Sequence, residues 1–288
     1  MTTTRLSWPA SVIPQVMLSQ KVYWQDIAFA IAGATLPIFM GLAPAFSFRN
    51  SPVMVDGHRM VDLLIPGGMA TSIVWILYNA INSAARRRQT RTYKRLRATP
   101  IPDSAIVAGE AVSAALPAFV QSAIVLAVGV GYLGSPLPSH LLLVALGIAV
   151  GAASIAVFAF GISGLLPSGE VSTWLMTPFI GAAWFLSGAM GVPSADPSTV
   201  DRVAQFLPST ATVQIVRTAY FAQDYVTLGL ASRPEISFGE TVSACSQPLG
   251  VLIGWAGIGA WLFSRFFAWD PRKSAGRSGS ATVKEVRS

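Results

Sequence analysis

Residues 62–102 read DLLIPGGMATSIVWILYNAINSAARRRQTRTYKRLRATPIP. Within them, 63–85 holds no formal charge and is long enough to cross a bilayer, which takes about 20 mostly apolar residues as a helix. Immediately afterwards Arg86, Arg87, Arg88, Arg91, Lys94, Arg95 and Arg97 crowd into a short run. In a water-soluble chain such a run would point to nucleic acid. Next to an apolar segment of spanning length, its meaning depends on what surrounds it.

The chain of 288 residues is 52% hydrophobic and 11% charged, with a mean hydropathy of +0.55. A soluble domain carries about 25% charged residues, so the outer surface is expected to face lipid. The net charge of +7 then belongs to loops and not to a nucleic-acid interface. Outward from 63–85, uncharged windows lie at 27–48, 171–195 and 242–264. Another uncharged stretch separates Glu110 from Glu170, and GSPLPSH (134–140) divides it, because its two prolines stop a helix. That gives spans at 105–133 and 140–166. Backbone groups in lipid must be paired within their own segment, so spans of this length are helices. The short alternating strands of a barrel are not seen. The expected fold is an all-α polytopic membrane protein with six transmembrane helices in one domain, 1–268, followed by a basic disordered tail, 269–288.

Six spans place both termini on the same side as the basic run. Fifteen of the twenty Lys and Arg residues fall there, which marks that side as cytoplasmic. Two segments outside the spans are also informative. Residues 6–24 set Ile13, Val16, Met17 and Trp24 at helical spacing with Gln15, Ser19 and Gln20 between them. This is the pattern of an amphipathic helix lying in the membrane interface, its start limited by Pro9 and Pro14. Residues 196–240 are external and mixed in polarity. Within them RVAQFLPSTATVQIVRTAYF (202–221) reads as short amphipathic helices packed on the outer ends of the spans.

Several chemistries are excluded. Cys245 is the only cysteine, so there is no intrachain disulfide or thiolate cluster, and His58 and His140 have no ligand-like neighbours. No G-x-x-x-x-G-K-[ST] phosphate loop occurs, so this chain does not cradle ATP in that way. GVGYLG (129–134) matches a dinucleotide fingerprint but ends an apolar span, where small residues serve helix packing. GVLIG (250–254) reads likewise. Motifs for metalloproteases, serine hydrolases and magnesium-diphosphate enzymes are absent, so no catalytic residues, metal ligands or cofactors are assigned to this chain.

From Arg86 to Ala98 there is no proline or glycine, Tyr93 and Leu96 form a small apolar patch, and ATPIPD (98–103) stops the run. A short helix held between two spans is a docking surface for a cytoplasmic protein. The whole of 62–102 resembles the central signature of the type-two ABC exporter permeases, the family that includes daunorubicin-resistance membrane subunits. The resemblance extends through TLPIFMG (35–41), similar to the proline-containing middle of the family's first span. FLSGAMGVPSADPSTVDRVAQFLPSTATVQIVRTAYF (185–221) is similar to its fifth-span exit. The chain departs from the family pattern at Gln89, usually acidic, at Arg91, usually glycine, and at Glu110, usually basic.

The resemblance implies a membrane-spanning permease subunit in a bacterial plasma membrane. It would pair with an identical or homologous permease and with two cytoplasmic ATPase subunits that hold the ATP and magnesium. The coupling helix would comprise Arg91, Tyr93, Lys94, Arg95, Leu96 and Arg97, with Tyr93 and Leu96 as the apolar contacts and the cations steering association. The implied cargo is a lipophilic or amphipathic drug, antibiotic or lipid, with a polysaccharide or glycolipid as the alternative. In the family the second and fifth spans line the path, which makes Trp75, Tyr78, Asn79, Asn82, Trp174, Met176, Thr177 and Trp184 candidates, each weighed against ordinary helix packing. A secondary transporter driven by an ion gradient is the competing class. It would need carboxylates within the spans, and Glu110, about one turn inside the cytoplasmic face, is the nearest. Its simpler reading is a partner for the basic run.

Overall fold

A computed structural model describes residues 7–25, 27–166, 170–191 and 196–267. The tail expected over 269–288 lies outside them. The order is α1 (Trp8–Gln25), α2 (Ile27–Ser47), β1 (Met54–Val55), β2 (His58–Arg59), α3 (Met60–Gln89), α4 (Thr92–Arg97), α5 (Asp103–Gly131), α6 (Leu141–Ser163), α7 (Glu170–Leu186), α8 (Thr199–Ala204), α9 (Pro208–Phe221), α10 (Phe238–Ala244) and α11 (Ser246–Phe266). The strands form one antiparallel hairpin pairing Val55 with His58.

Among the described residues four helical segments are long and apolar enough to cross a membrane: α3, α5, α6 and the combined Phe238–Phe266. The chain is a multi-pass membrane protein. Two further apolar helical stretches are found among the described residues, Gly33–Ser47 within α2 and Trp174–Leu186 within α7. α7 ends at Leu186, well before the expected 195, because Ser187–Met190 form a turn in which Gly188 takes φ 72°. α1 begins at Trp8, ahead of both prolines thought to limit it, and carries Pro14 inside.

α3 is the central helix. Its apolar window is 89% buried, against 11% for Phe238–Phe266, so α3 is screened from lipid by its neighbours while α11 lies at the periphery. Outward-facing positions elsewhere are large and apolar, among them Phe39, Leu142, Phe179 and Ile253, as a lipid-facing surface requires. α1 follows the same inverted logic. Its polar stripe Ser11, Gln15 and Ser19 is buried, and Ile13, Met17 and Trp24 are exposed.

Close crossings use glycine. Gly161 of α6 lies against the backbone of Gly259 in α11, and a Cβ on Gly259 would stand 2.5 Å from Phe158 Cα. Gly250 and Gly254, expected to pack a helix, have open space where a Cβ would stand, so within this chain the GVLIG reading is corrected. α9 also differs from expectation. Ser209 through Phe221 are all buried, so it is enclosed by the bundle and does not lie across its ends as an amphipathic surface helix. The 134–140 break is stitched to it, with Ser139 N donating to Tyr220 O at 2.8 Å and Tyr220 OH donating to Pro136 O at 2.6 Å.

Candidate functional site

The basic run does not form one loop. α3 continues through Gln89, so Arg86, Arg87 and Arg88 are its last turn, where cations complement the negative end of the helix dipole. Thr90 N closes that turn on Arg86 O at 2.9 Å. Arg91 then adopts the left-handed region, φ 57° and ψ 24°, and α4 starts. The reversal at Arg91 folds α4 back beside the end of α3.

α4 offers two unlike sides. Arg91, Lys94, Arg95 and Arg97 are exposed, and Leu96 is half-buried. Tyr93 is buried, its ring edge-on to Phe267 at 5.8 Å. Tyr93 is therefore turned away from the surface on which it was expected to meet a partner, because the apolar ring finds a covered site within its own chain. It anchors α4. Burial pushes its phenol well above the ordinary range, so it stays neutral. Arg97 Nε reaches Asp103 at 3.1 Å, but both side chains are about half exposed, and such a surface pair is worth little.

Beneath α4 lies a polar cluster inside the apolar bundle. Arg87 Nη1 pairs with Glu110 Oε1 at 2.6 Å, both almost fully buried. Arg87 Nη2 donates to Ser19 Oγ at 2.8 Å, Ser19 Oγ reaches Glu110 Oε1 at 3.3 Å, and Ser83 Oγ donates to Glu110 Oε2 at 3.1 Å. Gln20 Nε2 donates to Ser113 O at 2.7 Å. α1, α3 and α5 are thus tied together at the root of the basic run, and Glu110 is its partner. Small cavities of about 30 and 60 Å³ adjoin the cluster, each large enough for water. Asn79 lines both, with its buried Oδ1 unbonded.

Of the path candidates, Trp75 and Tyr78 are half-buried in edge contact at 5.8 Å, and Asn82 Nδ2 donates to Tyr78 O at 2.9 Å. On α7, Met176 is in the core, Trp184 is half-buried beside Phe185, and Thr177 and Trp174 face outward, Trp174 with 76% exposure. Asn79 and Glu110, unrelated in sequence, share a cavity wall.

At the opposite end of α3 lies a second polar group, outside the candidate site residues read from the sequence. Arg217, from α9, is 2% exposed. Its Nη2 donates to Gly191 O, Gly188 O and Leu63 O at 3.0, 3.2 and 3.3 Å. Burial pushes its pKa down to about 10, which still leaves it charged at neutral pH. Arg233 pairs with Asp56 at 3.1 Å. The two guanidinium groups flank the Tyr225 ring at 5.8 and 5.3 Å. The signal for Arg217 was its position, a lone cation in the middle of a mostly apolar segment.

The family model described as ABC-2 type transporter, a membrane domain, matches residues 16–221, well over half of the chain. That stretch includes the polar cluster, α4 and Arg217. No curated protein matches the chain.

Proposed function

The chain belongs to the ABC-2 type transporter membrane-domain family, and from that premise we propose that it is the permease subunit of an ATP-driven exporter. In this reading six helices span the membrane, α2, α3, α5, α6, α7 and α11, with both termini in the cytoplasm of a bacterial cell. Two permeases pair, and two separate ATPase subunits supply ATP and magnesium. The cargo is lipophilic or amphipathic, in keeping with spans that hold so few ionisable groups.

The observation that carries this reading is the build of α4. A six-residue helix presents Arg91, Lys94, Arg95 and Arg97 outward while Tyr93 pins it to the chain. A cationic surface steers an acidic partner, and the anchor lets a push on α4 reach the spans. Below it the Arg87–Glu110 pair joins α3 to α5, and Ser19 adds α1, so displacement of α4 is passed to three helices.

Purification from native membranes in mild detergent, followed by mass spectrometry, tests it. A stoichiometric soluble ATPase with a phosphate loop is expected, and K94E/R95E should reduce its recovery several-fold while the chain stays folded. Leu96→Ser should weaken the same association. Absence of any ATPase across a range of salt concentrations overturns the reading.

A further inference from the structure

Arg217 is a buried cation with no carboxylate partner among the described residues. Taking a guanidinium out of water is expensive unless a counter-charge or a full set of hydrogen bonds replaces it. The three carbonyls on Nη2 come from the turn after α7 and the start of α3, and they offset part of that cost. They use only one of the three guanidinium nitrogens. Nε is buried without a partner. Of the nearby carboxylates, Asp56 is committed to Arg233 at 3.1 Å, and Asp224, whose charge also acts on Arg233, accepts from Val226 N, Thr227 N and Thr227 Oγ1, so neither pairs with Arg217.

The unbalanced charge faces space. Arg217 lines a cavity of about 290 Å³ together with Thr210, Gln214 and Tyr225. Gln214 is 7% exposed. Asp201, on the rim, has its carboxylate bound by Ser198 N and Ser198 Oγ at 2.8 and 2.7 Å and forms no ion pair with Arg217 among the described residues. The remaining wall includes Leu186 and Val213, which are apolar.

We propose that this cavity binds the oxyanion of a phosphate or carboxylate, with Arg217 as the charged contact. Nη2 is committed to the three carbonyls, so Nη1 is the guanidinium nitrogen that offers such an oxygen a charge-assisted hydrogen bond. Gln214 supplies a further amide donor. The volume exceeds that of one phosphate ion, and the apolar wall takes the first carbons of an attached chain. On the permease reading, on which only this placement rests, the site lies at the outward end of the spans, where an amphipathic cargo or lipid would present its head group.

The test uses the purified full-length chain in neutral detergent without any ATPase, so it succeeds or fails independently of the coupling to ATP. Binding of hexyl phosphate and of inorganic phosphate is followed by calorimetry and by the shift in thermal unfolding. Arg217→Gln is informative if it folds. Because Arg217 also holds the turn after α7, the decisive variants are at Val200, a cavity-lining residue that is 58% exposed. Val200→Glu should weaken hexyl phosphate binding about fivefold and Val200→Lys strengthen it by a similar factor, as a unit charge at the rim dictates. If inorganic phosphate competes, the site takes a free anion. If it does not, the attached chain is part of recognition. Either result supports the site. No binding by the unaltered chain, or equal affinity in the two Val200 variants, overturns it.

Discussion

At Arg91 the backbone adopts a conformation that costs an L-residue roughly 1–2 kcal/mol, and the family pattern has glycine there. The strain is accepted because α4 must reverse against the end of α3, and because a cation at this corner adds to the exposed basic face. Arg91→Gly should leave thermal stability equal or slightly higher while weakening ATPase recovery. Arg91→Val should lower stability by about 1–2 kcal/mol, since a β-branched residue is least able to take this φ. Differential unfolding of the two variants checks both. The Arg87–Glu110 pair is the other residue-level commitment. Removing one partner leaves an uncompensated buried charge, so Glu110→Gln should cost about 3 kcal/mol. The double variant Arg87→Met with Glu110→Leu should recover much of that loss. If it recovers stability while transport stays impaired, the pair transmits force. If stability and transport return together, the pair is only structural.

At the scale of elements, packing in this bundle depends on where backbones touch. α6 and α11 meet at Gly161 and Gly259. Gly161→Leu should therefore destabilise the chain by about 1–3 kcal/mol or more, the usual cost of overpacking. Gly254→Leu should leave the unfolding of the isolated chain nearly unchanged, because its surroundings are open. Comparable losses at both positions, measured on the monomeric chain in detergent, would contradict the crossing. The same reasoning explains α1. Its polar residues turn inward to Glu110 and Ser113, where partners exist, and Ile13, Met17 and Trp24 turn outward.

For the whole molecule, α3 separates two polar ends. Its C-terminus carries the basic run and its N-terminus adjoins the β1–β2 hairpin. The native cysteine is buried, so single cysteines placed elsewhere can be labelled with little background. Met54→Cys, at a position 59% exposed, should react with a membrane-impermeant thiol reagent added outside intact cells. Arg95→Cys should react only after the membrane is opened. The reverse pattern would invert the orientation.

Composition and the uncharged windows were enough to reveal a multi-pass helical membrane protein, because exclusion of charge from lipid acts on each segment independently of its neighbours. The motif around 62–102 likewise carried the family, and Glu110 was legible as a partner for the basic run because both sit near one membrane face. What each helix turns toward its neighbours was not legible. That Tyr93 points inward, that α9 is enclosed, that Gly259 and not Gly250 makes the crossing, and that Arg217 sits beside a cavity all depend on which residues distant in sequence come together. A hydropathy pattern separates apolar from polar, but in a membrane both lipid and protein interior are apolar, so only the tertiary structure tells one burial from the other.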